Sequence, residues 1–195
     1  EVNRETINGA NYGPLKAECE RTVARAFGQQ ALLIRPGLIV GPHDPTGRFS
    51  YWPWRICAGG RVLAPGSPDT PIQFIDARDL AALIMRLIMV RASGAFNATG
   101  PNEGATFGEL LDTSRWISGE DVEIEWVDQQ FLEREGVQPW TELPLWIPTH
   151  DPQTRGFHAV DTTRARRNGL RTRPMAVTIS DILEAGIPEH DPRNP

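Results

Sequence analysis

The sequence predicts an α/β protein, and three observations carry that prediction. Leu15, Cys19, Val23 and Phe27 recur every four residues, the spacing of one helix face. Ala31 to Ile34 then runs apolar with no polar alternation, which suits a strand covered on both faces, as in a parallel sheet. Phe74-Ile75-Asp76 leads into a second apolar stretch ending at Val90, with Asp76 placed to cap a helix. Helices that alternate with buried strands pack as layers on a sheet. The chain has 195 residues, 39% hydrophobic and 23% charged, enough for one sizeable domain or one and a half small ones.

The first helix is expected over Asn11–Gly28. Pro14 falls in its first turn, where the missing N–H is harmless, and Gly28 suits its end. Tyr12, Lys16 and Glu20 form a row beside the apolar stripe. After the Ala31–Ile34 strand come Arg35-Pro36-Gly37, a second apolar run at Leu38-Ile39-Val40, and Gly41-Pro42. Phe49 to Cys57 holds Phe49, Tyr51, Trp52 and Trp54 after a loop rich in Gly, Pro and Asp. A strand is expected at Pro71–Ile75, a helix at Asp76–Val90 and a strand at Phe96–Ala98. Thr106 and Glu109 have capping-box spacing and open a helix to about Ile117. Val122, Ile124 and Trp126 alternate with Glu123 and Glu125, the pattern of a half-exposed strand. Val137–Pro152 reads as a long loop carrying Trp140 and Trp146. Thr178–Ala185 is the last expected helix, closed by Gly186, and the tail after Pro188 is expected to be disordered.

Charge and composition narrow the function. A net charge of −5 and a pI near 5.4 argue against a nucleic-acid or anionic-membrane partner, which needs a basic face. The two cysteines, Cys19 and Cys57, form no C-x-x-C pair and are too few for a disulfide framework. No metal site is expected, and a reducing, cytoplasmic location is. The longest apolar run, Leu80 to Val90, is broken by Arg86 and too short to span a bilayer. His43, His150, His158 and His190 lack ligand spacing and read as surface or packing residues. The chain opens without an initiator methionine, and the expectation is that it begins in mid-domain.

Lys16 is the only lysine, in a chain whose Lys+Arg total is 20, and it follows Tyr12 by four residues. On a helix the two side chains stack one turn apart. A phenol titrates near pKa ~10, and a nearby cation favours its phenolate. Tyrosine beside an ammonium is therefore a proton-transfer pair. The competing reading is that Lys16 is a solvated helix residue.

Four patterns line up in order: Tyr12-Gly-Pro-Leu-Lys16 on a helix, Arg35-Pro36 to Gly41-Pro42 after a buried strand, Phe74-Ile75-Asp76-Ala77-Arg78-Asp79 at a strand-to-helix junction, and Gly94-Ala-Phe-Asn97 followed by the Thr106 box. Together they resemble the C-terminal half of the extended short-chain dehydrogenase/reductases, the NAD-dependent epimerase/dehydratase family. The resemblance runs from about Asn8 to Pro174. It implies the C-terminal part of a Rossmann-like doubly wound parallel sheet, with a small substrate-binding subdomain. Residues 1–48 would complete the dinucleotide-binding domain. Residues 49–188 would form the substrate subdomain, with a Rossmann strand and helix returning near 71–98, and 189–195 a tail. The implied activity is NAD(P)-dependent hydride transfer at a carbonyl or alcohol of a small substrate.

The same resemblance makes Tyr12 the general acid/base. Lys16 would lower its pKa and hold the nicotinamide ribose of NAD or NADP. The backbone of Pro36, Gly37, Leu38 and Ile39 would lie against the nicotinamide. Substrate contacts are expected from Phe49, Trp52, Asp76 and Arg78, although Asp76 and Asp79 also suit the first turn of a helix as capping carboxylates. The tryptophans suggest an apolar pocket, nearer to reductases of the dihydroflavonol-reductase type than to nucleotide-sugar enzymes; core anchoring is their other reading. The family's glycine-rich phosphate loop and catalytic Ser or Thr precede the tyrosine, and this sequence has neither. The expectation is a missing N-terminal Rossmann half and a homodimer contact through the Tyr12 helix. The alternative is a catalytically inactive member that senses a dinucleotide or binds a partner.

Overall fold

The computed structural model describes residue 7 and residues 9–152 and 154–187. The expected tail at 189–195 lies outside the described residues, as does Asn8. Helices α1 (Gly9–Phe27), α2 (Tyr51–Cys57), α3 (Ala77–Met89), α4 (Phe107–Ser118), α5 (Gln129–Arg134), α6 (Thr163–Arg167) and α7 (Met175–Ala185) alternate with six strands. These are β1 (Leu32–Pro36), β2 (Leu38–Val40), β3 (Gly60–Pro65), β4 (Phe74–Asp76), β5 (Gly94–Ala98) and β6 (Val122–Val127). They pair as three parallel ladders, β1 with β5, β2 with β4 and β3 with β6. Parallel pairing needs crossover connections: α2 lies in the one between β2 and β4, α3 in the one between β1 and β5, and α3 and α4 in the one between β3 and β6. The α/β prediction holds, with the parallel pairing that continuous apolar strands imply.

Local signals explain much of the framework. Asp76 caps α3 by accepting the Arg78 N–H. Thr106 and Glu109 close the reciprocal capping box that opens α4. Gly119, at φ 70°, ends that helix in the left-handed region, where a side chain would be strained. Gly37 breaks the edge between β1 and β2. A Cβ there would stand 2.3 Å from Thr99 Oγ1, so the backbone could not pass so closely with any other residue. Gly37 N–H then donates to Ala98 O at 3.0 Å, tying the break to β5.

Two buried clusters result. Leu80, Leu83 and Leu87 of α3 pack on Ile75, Phe96 and Ala98, with Leu32 and Ile34 of β1 at the margin. The larger cluster joins α2, α4 and α7 over β3 and β6, around Phe49, Trp52, Phe107, Leu110 and Ile179. Trp52 meets Phe107 edge-on at 4.8 Å, and its indole N–H donates to Pro144 O at 2.8 Å. That bond holds the long loop after α5 against the core.

Three elements were not anticipated. α2 lies in the aromatic segment, where Trp52 and Ile56 bury one face of a single two-turn helix. β3 alternates buried Val62 and Ala64 with exposed Arg61 and Leu63. α5 starts at Asp128, whose carboxylate accepts the Phe131 N–H. β4 begins three residues later than expected, because Pro71 makes only an isolated bridge to Thr106. The double coverage expected for Ala31–Ile34 is incomplete. Ala31 is buried, but Leu32, Leu33 and Ile34 are half-buried, and among the described residues only β5 pairs with β1.

The apolar stripe of α1 is uncovered for the same reason. No residue of that stripe is fully buried, and Phe27 is 62% exposed. The helix is held instead by a fork in which Arg35 Nε and Nη2 donate to the two Glu20 carboxylate oxygens at 2.8 and 2.5 Å. Leu110→Ala, deep in the larger cluster, is expected to cost about 2–5 kcal/mol in denaturant unfolding, whereas Phe27→Ala should stay within about 0.5 kcal/mol. Equal losses would show that the α1 stripe is packed after all.

Candidate active site

A cleft of about 1310 Å³ opens where α1, the β1–β2 break and the long loop converge. Tyr12 faces it from α1, and Pro36, Gly37, Leu38 and Ile39 form an adjoining strip of its wall. Thr99 follows β5 at the same cleft, and Trp140, Phe157 and Val160 reach it from the loop. Tyr12 is 58% exposed. Lys16, one turn further along α1, is exposed and is not part of the cleft wall. The Glu20 carboxyl is held below its ordinary range by the Arg35 hydrogen bonds first, with the Lys16 charge a smaller influence.

None of the four expected substrate contacts lines this cleft. Phe49 and Trp52 are wholly buried in the larger cluster and present no surface to the cleft. Their aromatic mass fills core volume between α2, α4 and β4. Asp76 is 2% exposed, and Arg78 turns to its carboxylate and to Asp181 of α7. Both belong to a capping and ion-pair network, so the helix-cap reading prevails over substrate contact.

The loop wall carries the groups that sequence reasoning missed. The Arg48 guanidinium carbon sits 4.9 Å from the Trp140 ring centroid. Phe157 meets Trp140 at 5.3 Å and 72°, an edge-to-face corner. Trp140 holds φ 66°, a backbone region costly for a bulky residue, and its N–H donates to Trp146 O at 3.1 Å. Thr99 is 1% exposed, and its hydroxyl has no hydrogen-bond partner among the described residues. Gln73 anchors the far side, since its side chain bonds both the N–H and the C=O of Val160. Its own N–H donates to His158 Nδ1 at 2.9 Å. A hydrogen bond spanning 87 residues leaves no mark in local sequence. The tryptophans in the loop were the one visible signal. Among the described residues no group of three or more His, Cys, Asp or Glu could hold a metal, and no helix is long and apolar enough to cross a membrane.

The fold resembles those of solved structures. Superposition on UDP-N-acetylglucosamine 4-epimerase from Bacillus cereus gives a TM-score of 0.60 at 15% identity, covering 96% of this chain and 59% of that one. UDP-glucose 4-epimerase from Thermus thermophilus, solved with NAD, gives 0.59 at 14% identity, with 95% and 59% covered. RMD from Pseudomonas aeruginosa, complexed with NADPH, gives 0.61 at 15% identity, with 92% and 61% covered. The fold is therefore the Rossmann-like α/β fold of NAD-dependent epimerases and short-chain reductases, and the chain spans about 60% of the length of these three structures. No protein-family model matches the sequence, and no curated protein matches it.

His158 gives the cleft wall a pH dependence. Burial, foremost, lowers the pKa of its imidazole below the ordinary 6.5. The unfolded chain therefore binds the proton more readily than the folded one. The stability contributed by the neutral ring is complete above pH 6.5 and is lost as pH falls towards the folded-state value. Protonated Nδ1 would also confront the Gln73 N–H as a second donor. Thermal melts between pH 7.5 and 5 are expected to show this decline in the native chain and to lose it in His158→Gln. An identical pH profile in both proteins would contradict the assignment.

Proposed function

We propose that this chain forms the nicotinamide-facing and substrate-facing part of an NAD(P)-dependent oxidoreductase or epimerase of the extended short-chain dehydrogenase/reductase family. One observation carries the reading. Tyr12 and the Pro36–Ile39 strip come from different elements, yet line one cleft, in the order and setting that the family resemblance implies. The fold shared with enzymes solved with NAD and with NADPH supports it.

The residues present fit one end of a dinucleotide. Leu38 and Ile39 offer an apolar face for a nicotinamide ring. They do not fit the diphosphate. Of the helices that start at the cleft, α3 has its N-terminus already capped by the Asp76 carboxylate, which repels phosphate. A glycine-rich Rossmann half outside these 195 residues is assigned that role.

When bound, the nicotinamide supplies or accepts a hydride. Tyr12 O–H donates a proton to a substrate carbonyl oxygen in reduction, and its phenolate takes the proton back from an alcohol in oxidation. Lys16 steadies the phenolate by its charge and holds the ribose hydroxyls, a task for a compact ammonium. Tyr12 and the Pro36–Ile39 strip thus lie on the cofactor side, while the wall around Trp140 and Phe157 lies on the substrate side. In the full-length protein, Tyr12→Phe is expected to lower turnover roughly 10²–10⁴-fold with cofactor affinity nearly unchanged. Lys16→Arg should lower turnover and weaken cofactor binding together. Native rates in either variant would sink the catalytic assignment.

The same reading explains the uncovered stripe on α1. We assign Leu15, Cys19, Val23 and Phe27 to a contact with a second copy of the chain or with the Rossmann half. Sedimentation of the full-length protein is expected to show a dimer that Val23→Asp dissociates. A native monomer would remove the second copy from the account.

A further inference from the structure

Resting on the reading of the cleft as a substrate site, we infer that its substrate is a planar aromatic monocarboxylate, bound with its ring in the Trp140–Phe157 corner and its carboxylate on Arg48. The corner is the first ground. Two rings meeting edge-to-face at 5.3 Å leave an angled apolar recess, the arrangement that a third flat ring completes. Phe157 is 46% exposed, so its surface is open to a ligand.

Arg48 is the second ground. It is the only arginine or lysine among the described residues of the cleft. No carboxylate pairs with it among the described residues; its recorded partner is the face of Trp140. A cation held on a ring is fixed in place without using its N–H donors. The guanidinium fork therefore remains free for a carboxylate, which it matches through two parallel hydrogen bonds.

Charge count is the third ground, and it separates this substrate from a nucleotide sugar. A nucleoside diphosphate carries at least two negative charges and calls for several cations. The cleft offers one guanidinium and opposes it with Asp44, whose carboxylate is bonded to the Thr46 N–H and hydroxyl. The wall nearby is apolar, formed by Leu38, Ile39, Ile147 and Val160. With Asp44 adding repulsion against any further negative charge, the single guanidinium suits one negative group on a flat apolar body.

The test is a titration of the chain with 4-acetylbenzoate and with 4-acetylbenzamide, which share a ring and a ketone and differ in charge. Binding is read from the Trp140 indole resonance, so neither cofactor nor turnover is needed. A dead Tyr12 reaction would leave this result intact, and a failed titration would leave the hydride reading standing. The acid is expected to bind roughly tenfold or more tightly than the amide, and the gap should narrow as salt rises. Arg48→Met should bring the acid down to the amide, and Arg48→Lys should retain part of the gap. Equal affinities in the native chain would overturn the proposal without any variant. So would a gap that survives Arg48→Met, or UDP-glucose displacing the acid. A preference for adenosine 2′-phosphate over adenosine that Arg48→Met abolishes would assign the cation to a cofactor phosphate and overturn it equally.

Discussion

The buried Asp76 carboxylate is the constraint on which the rest of the structure depends. It ends β4, caps α3, and accepts hydrogen bonds from the Arg78 guanidinium and the Thr178 hydroxyl of α7. Arg173 approaches it to 3.6 Å and also grips Asp79. Burial, the largest influence, opposes ionisation, yet these partners together hold the carboxyl below its usual range. The same acid lies beside Gly41, where an added Cβ would stand in ordinary van der Waals contact with its carboxylate, at 3.7–3.8 Å. Gly41 has φ 134° and follows β2 directly. The Asp76 network thus fixes the ends of β2 and β4, the turn between wall and loop, and the docking of the last helix.

That position is also where ligands bind in open α/β sheets, outside the carboxyl ends of parallel strands. The β1–β2 break turns the Pro36–Ile39 backbone towards the cleft, and Thr99 leaves β5 beside it. The buried network does not touch the cleft contents itself. It keeps two strand ends in register so that groups from distant parts of the chain can share one space. Breaking one partner of such a buried charge leaves the others uncompensated, which is why its members act as a unit.

What was legible in the sequence was what local chemistry decides. The Thr106–Glu109 box, the Asp76 cap and the Leu15-to-Phe27 periodicity sit within a few residues of what they determine. α2, β3 and α5 escaped because each is short, and their apolar residues match no long period. Asp76 was expected in two roles, cap and substrate contact, and its partners in the fold are those of the cap, while Arg78, expected as a substrate contact, pairs with Asp76 and Asp181. The strip at Pro36–Ile39 and Tyr12 were found through motif order rather than through physics of the residues alone. Of the opposite wall only the loop tryptophans were visible. It depends on Trp52 reaching Pro144 and on Gln73 reaching Val160, bonds across 92 and 87 residues that no periodicity announces. The continuous apolar strand at Ala31 told of coverage that the described residues supply on one edge alone.

The central claim is that Tyr12 and the Pro36–Ile39 strip face a nicotinamide. Nicotinamide mononucleotide carries that ring and ribose without the second phosphate and adenine, so it isolates the end of the cofactor that the proposal assigns to this cleft. Methyl and aromatic NMR during its titration, to millimolar concentration, tests the claim most directly. The account predicts shifts confined to the Leu38 and Ile39 methyls, the Tyr12 ring and Thr99. Shifts at Leu63 and Leu132, which line a separate cavity of about 450 Å³, with none at Tyr12 or Ile39, would contradict it.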